Sequence, residues 1–249
     1  MQYQKGEIRC QLKCQSSVYE RSIAKLFPEL CPRCRGTSDG GFCAGCRTDF
    51  IAISAPCLRC GLPRPVASCP AEHVSWQLDK VVAPFSYCEP LDRHIHALKF
   101  SNARQLGRAF GLLLAEAARP YRKEVDALVA VPLHRRRWRE RGYNQALEIA
   151  AAAAGELELS LLAKGIGRCR ETLAQSTLTV SRRSENLRES FEINRDLSGY
   201  RLGIVDDVIT TASTVNALAL ALRSAGADSV QAWAPARTLD AASAQLRNV

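Results

Sequence analysis

Residues 203–218, GIVDDVITTASTVNAL, carry an apolar run into two adjacent acids, Asp206 and Asp207, and then into a hydroxyl-rich turn. An alanine- and leucine-rich segment with helical spacing follows. The order predicts a buried strand, a short loop and a helix start. Thr210, Thr211, Ser213 and Thr214 fall where the loop becomes the helix, with Ala212 among them. Backbone N–H groups at a helix start are unsatisfied and carry partial positive charge, so they hold phosphate. Hydroxyls add donors, and two carboxylates suit ribose hydroxyls or a magnesium ion. Together these demands describe a sugar phosphate. A plain capped helix after a buried strand is the competing reading.

The segments around this stretch alternate in the same way. KVVAPFSYC (80–88) reads as a strand, LDRHIHALKF (91–100) as a short helix, and RQLGRAFGLLLAEAAR (104–119) as a second helix. DALVAVP (126–132) is a buried strand stopped by Pro132, and RERGYNQALEIAAAAAG (139–155) a helix closed by Gly155. After RLGIVDD (201–207) come the helix STVNALALALRSAG (213–226) and a last strand, SVQAWAPA (229–236). Strands separated by helices predict an α/β fold, a mostly parallel sheet with flanking helices. Ligands on such sheets sit at the carboxyl ends of the strands. Pro132 and Asp206–Asp207 both fall there, which points to one site built from several loops.

The amino-terminal third has a different texture. Cys31, Cys34, Cys43 and Cys46 read C-x2-C-x8-C-x2-C, two knuckles that together supply the four thiolates of a structural zinc. Pro32 and Gly36 suit the turns. Cys57, Cys60 and Cys69 repeat the spacing 26 residues on, with Gly61 in the second knuckle. The position matching Cys46 is Glu72, and His73 is next to it. Either can be the fourth ligand of a second zinc, or that ion has been lost and packing holds the ribbon. Cys10 and Cys14 read as helix-face residues, and Cys88 and Cys169 as ordinary core or loop thiols. The expected organisation is an extension over 1–30, a double zinc-ribbon-like module over 31–76 and an α/β domain over 77–249.

Composition bounds the rest. The chain is 47% hydrophobic and 24% charged, with no low-complexity tract, which excludes disorder as its main state. A net charge of +9 favours anionic partners, nucleic acid or phosphorylated metabolites. No apolar h-region opens the chain and no run approaches a membrane span. The expectation is a cytoplasmic protein, where the 11 cysteines mean metal more than disulfide.

The stretch IVDDVITTAST resembles the phosphoribosyl-pyrophosphate (PRPP) loop of type I phosphoribosyltransferases. It departs at Ala212, where that family commonly has glycine; a methyl group fits if the backbone φ is negative. Three further segments, VPLHRRRWRERGYNQALEIA (131–150), RCRETLAQSTLTVSRRSENLRESFEI (168–193) and the cysteine repeat, together resemble the ComF/GntX family. The likeness runs from Cys31 to Arg237.

That resemblance implies a type I phosphoribosyltransferase-like sheet domain behind a zinc-ribbon module, and a role in DNA uptake and bacterial competence. It implies a PRPP site at Asp206, Asp207, Thr210, Thr211, Ala212, Ser213 and Thr214, with magnesium accompanying the PRPP. Val131, Pro132, Leu133 and His134 resemble the pyrophosphate loop, Pro132, Leu133, His134 and Arg135 join the PRPP-binding set, Arg141 joins the catalytic set, and Lys99 can reach an anion. Arg170, Gln175, Arg182 and Arg183 correspond to a loop that closes over PRPP. Five arginines against Glu140 leave residues 135–141 with a surplus of four positive charges. Arg135, Arg136, Arg137, Trp138, Arg139 and Tyr143 therefore suit single-stranded DNA, and DNA-uptake or helicase machinery is the implied protein partner. Two functions stay open: phosphoribosyl transfer to an unidentified acceptor, or DNA binding with a regulatory or vestigial PRPP pocket.

Overall fold

Apolar β-branched runs meet proline at one level of the molecule, and this sets the architecture. The computed structural model describes residues 29–65, 69–72, 75–168 and 190–239. Its central sheet contains β1 (Lys80–Val82), β3 (Ala127–Ala130), β4 (Ser160–Leu161), β7 (Arg201–Val205) and β9 (Ser229–Trp233). All neighbours are parallel, in the order β1-β9-β7-β3-β4. Three of these strands resume after two-residue breaks as β2 (Phe85–Ser86), β8 (Val208–Ile209) and β10 (Ala236–Arg237), in the matching order β2-β10-β8. Two of the breaks contain proline, Pro84 and Pro235, which has no N–H for a ladder bond. The third is Asp206–Asp207. Pro132 ends β3 near the same level, so the acids sit on a line where neighbouring strands stop pairing.

Beyond the short α1 (Ala44–Arg47) of the cysteine repeat, helices cover both faces of the sheet. Leu128, Val205, Trp233 and Val82 point to one side, against α2 (Leu91–Phe100), α3 (Gln105–Ala118) and α5 (Gln145–Leu157). Their alternates Ala127, Val129, Leu202, Ile204, Val230 and Ala232 pack with α6 (Ser213–Ser224) on the other. This period of two, buried on both sides, is that of a doubly covered parallel sheet. Helices α3 and α5 touch through Gly107 and Gly111. A Cβ at Gly111 would lie 2.5 Å from Ala152 Cβ and 2.6 Å from the Ile149 carbonyl oxygen, so any larger residue would push the helices apart.

The cysteine repeat is attached to this sheet domain at two places. Cys31, Phe42, Cys46 and Phe50 belong to the same buried cluster as α2, α3 and α5. Phe42 packs 5.2 Å from Phe110 and Phe50 packs 5.6 Å from Phe85, ring centre to ring centre. The second knuckle hooks onto the sheet edge: Val81 N–H donates to Leu58 O at 2.8 Å, and buried Arg237 donates to Cys60 O at 3.1 Å and Ile209 O at 3.0 Å.

Several sequence expectations change in detail. The helix expected over 139–155 is two helices, α4 (Arg135–Arg141) and α5, separated at Gly142, which adopts φ +76°. Asn144 starts α5 by accepting from Ala146 N–H, and the helix runs past Gly155 to a left-handed cap at Glu158. Strands 80–88 and 229–236 are each cut at their prolines. An antiparallel pair, β5 (Ile166–Arg168) with β6 (Phe191–Ile193), is additional; its short, weakly patterned strands gave no period to read. No helix among the described residues is long and apolar enough to cross a membrane.

Candidate functional site

The parallel register brings the strand ends together. Val131 N–H donates to Val205 O at 2.9 Å, Asp206 N–H to Trp233 O at 3.0 Å and Ala234 N–H to Val82 O at 2.9 Å. The ends of β1, β3, β7 and β9 are therefore level, and the two acids lie on that line. Asp207 is 4% exposed and meets Lys99 Nζ at 2.9 Å, from the end of α2. The contact is an ion pair; Asp207 Oδ2 accepts no well-directed hydrogen bond. Asp206 Oδ1 accepts from Asp207 N–H at 2.8 Å. Desolvation raises the Asp206 carboxyl to about 8, and the neighbouring Asp207 charge pushes the same way. Two acids thus share one compensating lysine, and a further cation or a hydrogen-bonding ligand would relieve the pair.

Arg141 approaches from the end of α4. Desolvation lowers its pKa, the charge of Asp207 supports it, and its guanidinium lies 4.9 Å from the Phe100 ring centre. Pro132, Leu133 and His134 line the exit of β3 and are half-buried. His134 opens α4 by accepting from Arg136 N–H at 3.4 Å. Arg136 pairs with Glu140 at 3.0 Å, whereas Arg135, Arg137 and Arg139 are exposed and meet no carboxylate among the described residues. Trp138 is exposed between them.

After β8, Thr210, Thr211 and Ser213 are exposed at the start of α6 and Thr214 is half-buried. The hydroxyls of Thr211 and Ser213 lie 2.8 Å apart. Ala212 adopts φ +63°, ψ +3°, and is 3% exposed. The negative φ that would accommodate its methyl group is therefore not what the loop uses. The turn needs a left-handed residue to swing the chain from β8 into α6, and alanine bears a cost of about 1–2 kcal/mol there.

Tyr143 also differs from the sequence expectation. It is 6% exposed, donates its hydroxyl to Leu98 O and lies under the Arg104 guanidinium, so it anchors α5 to α2 and presents no face to a ligand. Phe100 is the aromatic that the sequence reading missed at this position. Its helical spacing from Ile95 and His96 gave no sign that it would be left outside. Arg170, Gln175, Arg182, Arg183, Cys10, Cys14 and Cys169 lie outside the described residues.

The first cysteine cluster has the geometry of its spacing. The sulfurs of Cys31, Cys34, Cys43 and Cys46 all lie within 4.8 Å of one another, and Cys34 and Cys43 are 3.6 Å apart. Four thiolates around zinc are about 3.8 Å from each other, so the set fits that ion. Burial works against ionising Cys31, but backbone hydrogen bonds from Cys34, Cys43 and Arg33 bring it down to about 6. Cys46 is pushed up to about 12, by burial first and then by its neighbouring thiols. One cation would resolve that crowding.

Cys57, Cys60 and Cys69 form a second cluster within the same limit. Glu72 is exposed and does not join it, while His73 lies outside the described residues. In both knuckles the first cysteine N–H donates to the carbonyl five residues on, Gly36 or Leu62, each at 2.7 Å. The residue four positions on adopts positive φ, and here the two differ: Arg35 at +64° and Gly61 at +76°. Gly36, expected to serve the first turn, does not have this role.

No protein-family profile matches the chain. Among solved structures, a purine phosphoribosyltransferase from Pyrococcus horikoshii Ot3 is 21% identical and aligns over 57% of this chain and 68% of that one at a TM-score of 0.29, too slight a likeness to argue from. Curated relatives are nearer. The DNA utilization protein YhgH of Escherichia coli K12 is 33% identical over 225 residues, 85% of this chain and 98% of that protein. Competence protein F of Haemophilus influenzae is 33% identical over 232 residues, 86% of this chain and 100% of that protein. Competence protein ComFC of Streptococcus pneumoniae is 30% identical over 155 residues, 62% of this chain and 67% of that protein. At that identity over nearly the full length of the first two, the chain belongs to the DNA utilization protein YhgH and competence protein F family.

Proposed function

We propose that the strand-end site around Asp206 and Asp207 binds PRPP and that the protein uses this site while handling single-stranded DNA in the cytoplasm. The observation that carries the reading is the placement of Asp206 and Asp207 on the break of the central strand. Lys99 pairs with Asp207, the Arg141 charge interacts with it, and the exposed hydroxyls of Thr210, Thr211 and Ser213 follow within a few residues at the start of α6. Carboxylates match ribose hydroxyls, while hydroxyls and N–H groups at a helix start match the 5′-phosphate. Lys99, Arg141 and the residues leaving β3 match a diphosphate. Asp206 and Asp207 are also the residues that would hold magnesium, which when bound would shield the diphosphate charge.

For phosphoribosyl transfer, the bond from C1′ to the diphosphate breaks and a nucleophile closes on C1′ as the pyrophosphate leaves with its electron pair. Lys99 and Arg141 would stabilise that leaving charge, and the acids would hold the sugar in line. Calorimetry with PRPP in the presence of Mg²⁺ tests the reading. Wild-type protein should bind, and the double variant Asp206→Ala, Asp207→Ala should show no heat while keeping its circular dichroism spectrum. Retained binding by that variant would reject the site.

A second observation supports the DNA partner: helix α4 exposes Arg135, Arg137, Arg139 and Trp138 together. Each single-stranded phosphate neutralised contributes about −0.7 to the slope of log affinity against log salt. Replacing Arg135, Arg136 and Arg137 by alanine should flatten that slope by roughly two units if they meet the backbone. If they face pyrophosphate instead, PRPP binding falls and the DNA slope stays.

A further inference from the structure

Beside the acid pair lies a row of side chains of which only Arg141 belongs to the proposed sugar-phosphate site. Phe100, the last residue of α2, is 62% exposed, and Trp138 on α4 is 56% exposed; no other large hydrophobics among the described residues are as open. An isolated exposed apolar side chain needs no explanation, but these two are linked. Arg141 follows Trp138 by three positions, which puts both on one face of α4. The Arg141 guanidinium lies 4.9 Å from the Phe100 ring centre, and the His96 ring lies 4.6 Å from it. Planar groups therefore follow one another from α4 to the end of α2: Trp138, Arg141, Phe100, His96. Arg137, exposed, adds a second guanidinium to the same end of α4.

The position of this row is as informative as its content. Lys99, next to Phe100 in the chain, is the residue paired with Asp207. The row thus starts beside the acid pair and runs onto α4.

We propose that Trp138, Arg141, Phe100 and His96 form a stacking track for one single-stranded nucleic acid. Bases lie on Phe100 and Trp138, phosphates meet Arg137 and Arg141, and the strand passes beside Lys99 and the acid pair. Rings interleaved with guanidiniums recognise the two repeating elements of a single strand, its π-faces and its phosphates. A duplex hides its base faces in the stack and has no use for such rings. Arg135, Arg137 and Arg139, which meet no carboxylate among the described residues, favour a polyanion over a second copy of this basic chain. The track rests on the reading that the protein binds single-stranded DNA, and names the residues that reading lacked: Phe100, His96 and Arg141 take the place given to the buried Tyr143.

Fluorescence anisotropy with a labelled oligothymidylate, titrated against the full chain at several salt concentrations, tests the track. Phe100→Ala and Trp138→Ala should each weaken binding about tenfold, the loss of one stacked base, with an unchanged salt slope because no cation is removed. Phe100→Trp should restore it. Arg141→Lys keeps the charge and loses the planar group, so it should weaken binding while the slope holds. Phe100→Ala should leave PRPP heats as in the wild type, which also shows that the variant is folded.

Wild-type affinity in both alanine variants would overturn the track and leave DNA binding standing. No binding of any oligonucleotide by the wild type would remove the DNA reading and the track with it. Sedimentation showing that Phe100→Ala changes self-association while DNA affinity is untouched would assign the rings to a second copy and overturn the proposal.

Discussion

The two cysteine knuckles are the same piece of backbone carrying different chemistry. Both close with the same pair of hydrogen bonds, and both turn through a residue of positive φ. The first brings four sulfurs together, has Arg35 at the left-handed position and buries Cys31 and Cys46 beside Phe42 and Phe50 in the core of the sheet domain. The second has three sulfurs, Gly61 at that position and a small cluster of its own with Leu62 and Ala71. A repeat conserves its turn because the backbone demands it, whereas metal occupancy and attachment belong to side chains free to diverge.

The sharpest way to break this comparison is to remove one ligand from each cluster. Cys46→Ser takes a ligand from a closed set of four and leaves a polar group in the shared core. It should cost about 3–5 kcal/mol, or prevent folding, and lower zinc by one per chain. Cys69→Ser, in the smaller cluster, should cost about 1–2 kcal/mol in the same denaturation experiment. Equal losses would mean that the second cluster is as complete as the first.

The turns give smaller effects of opposite sign. Gly61→Ala places a Cβ 2.8 Å from Val81 Cγ1 on a backbone with φ +76°, and should destabilise by about 2 kcal/mol. Arg35→Gly relieves the same conformation in the first knuckle and should stabilise by about 1 kcal/mol. A loss of stability in Arg35→Gly would show that the arginine side chain does something the glycine cannot. Glu72→Ala should change least, with stability within about 0.5 kcal/mol and zinc content unmoved, since its carboxylate stands outside the cluster. A fall of one zinc per chain in that variant would make Glu72 the fourth ligand.

Much of the candidate site was legible because its signals are local. The cysteine spacing, the acids closing an apolar run and the hydroxyls before a helix each lie within a few dozen residues. Helix boundaries were harder. Gly142 divides what reads as one helix, because a left-handed residue there reverses the chain before Asn144 can start the next. Tyr143 shows the same limit in a side chain: beside so many arginines it reads as surface, yet its hydroxyl finds Leu98 O and its ring is buried.

The sequence by itself determined the alternation of strand and helix, the cysteine spacing and the stop of β3 at Pro132, since proline cannot continue a ladder. Only the tertiary structure decided which groups meet at the strand ends. Lys99 and Asp207 are 108 positions apart in the chain and 2.9 Å apart in space, brought together because α2 and β7 sit in fixed register on one parallel sheet. Arg141 reaches Phe100 for the same reason. Local patterns record what a segment prefers; the partner of a charge or a ring depends on how whole elements pack, and no short window of sequence contains that information.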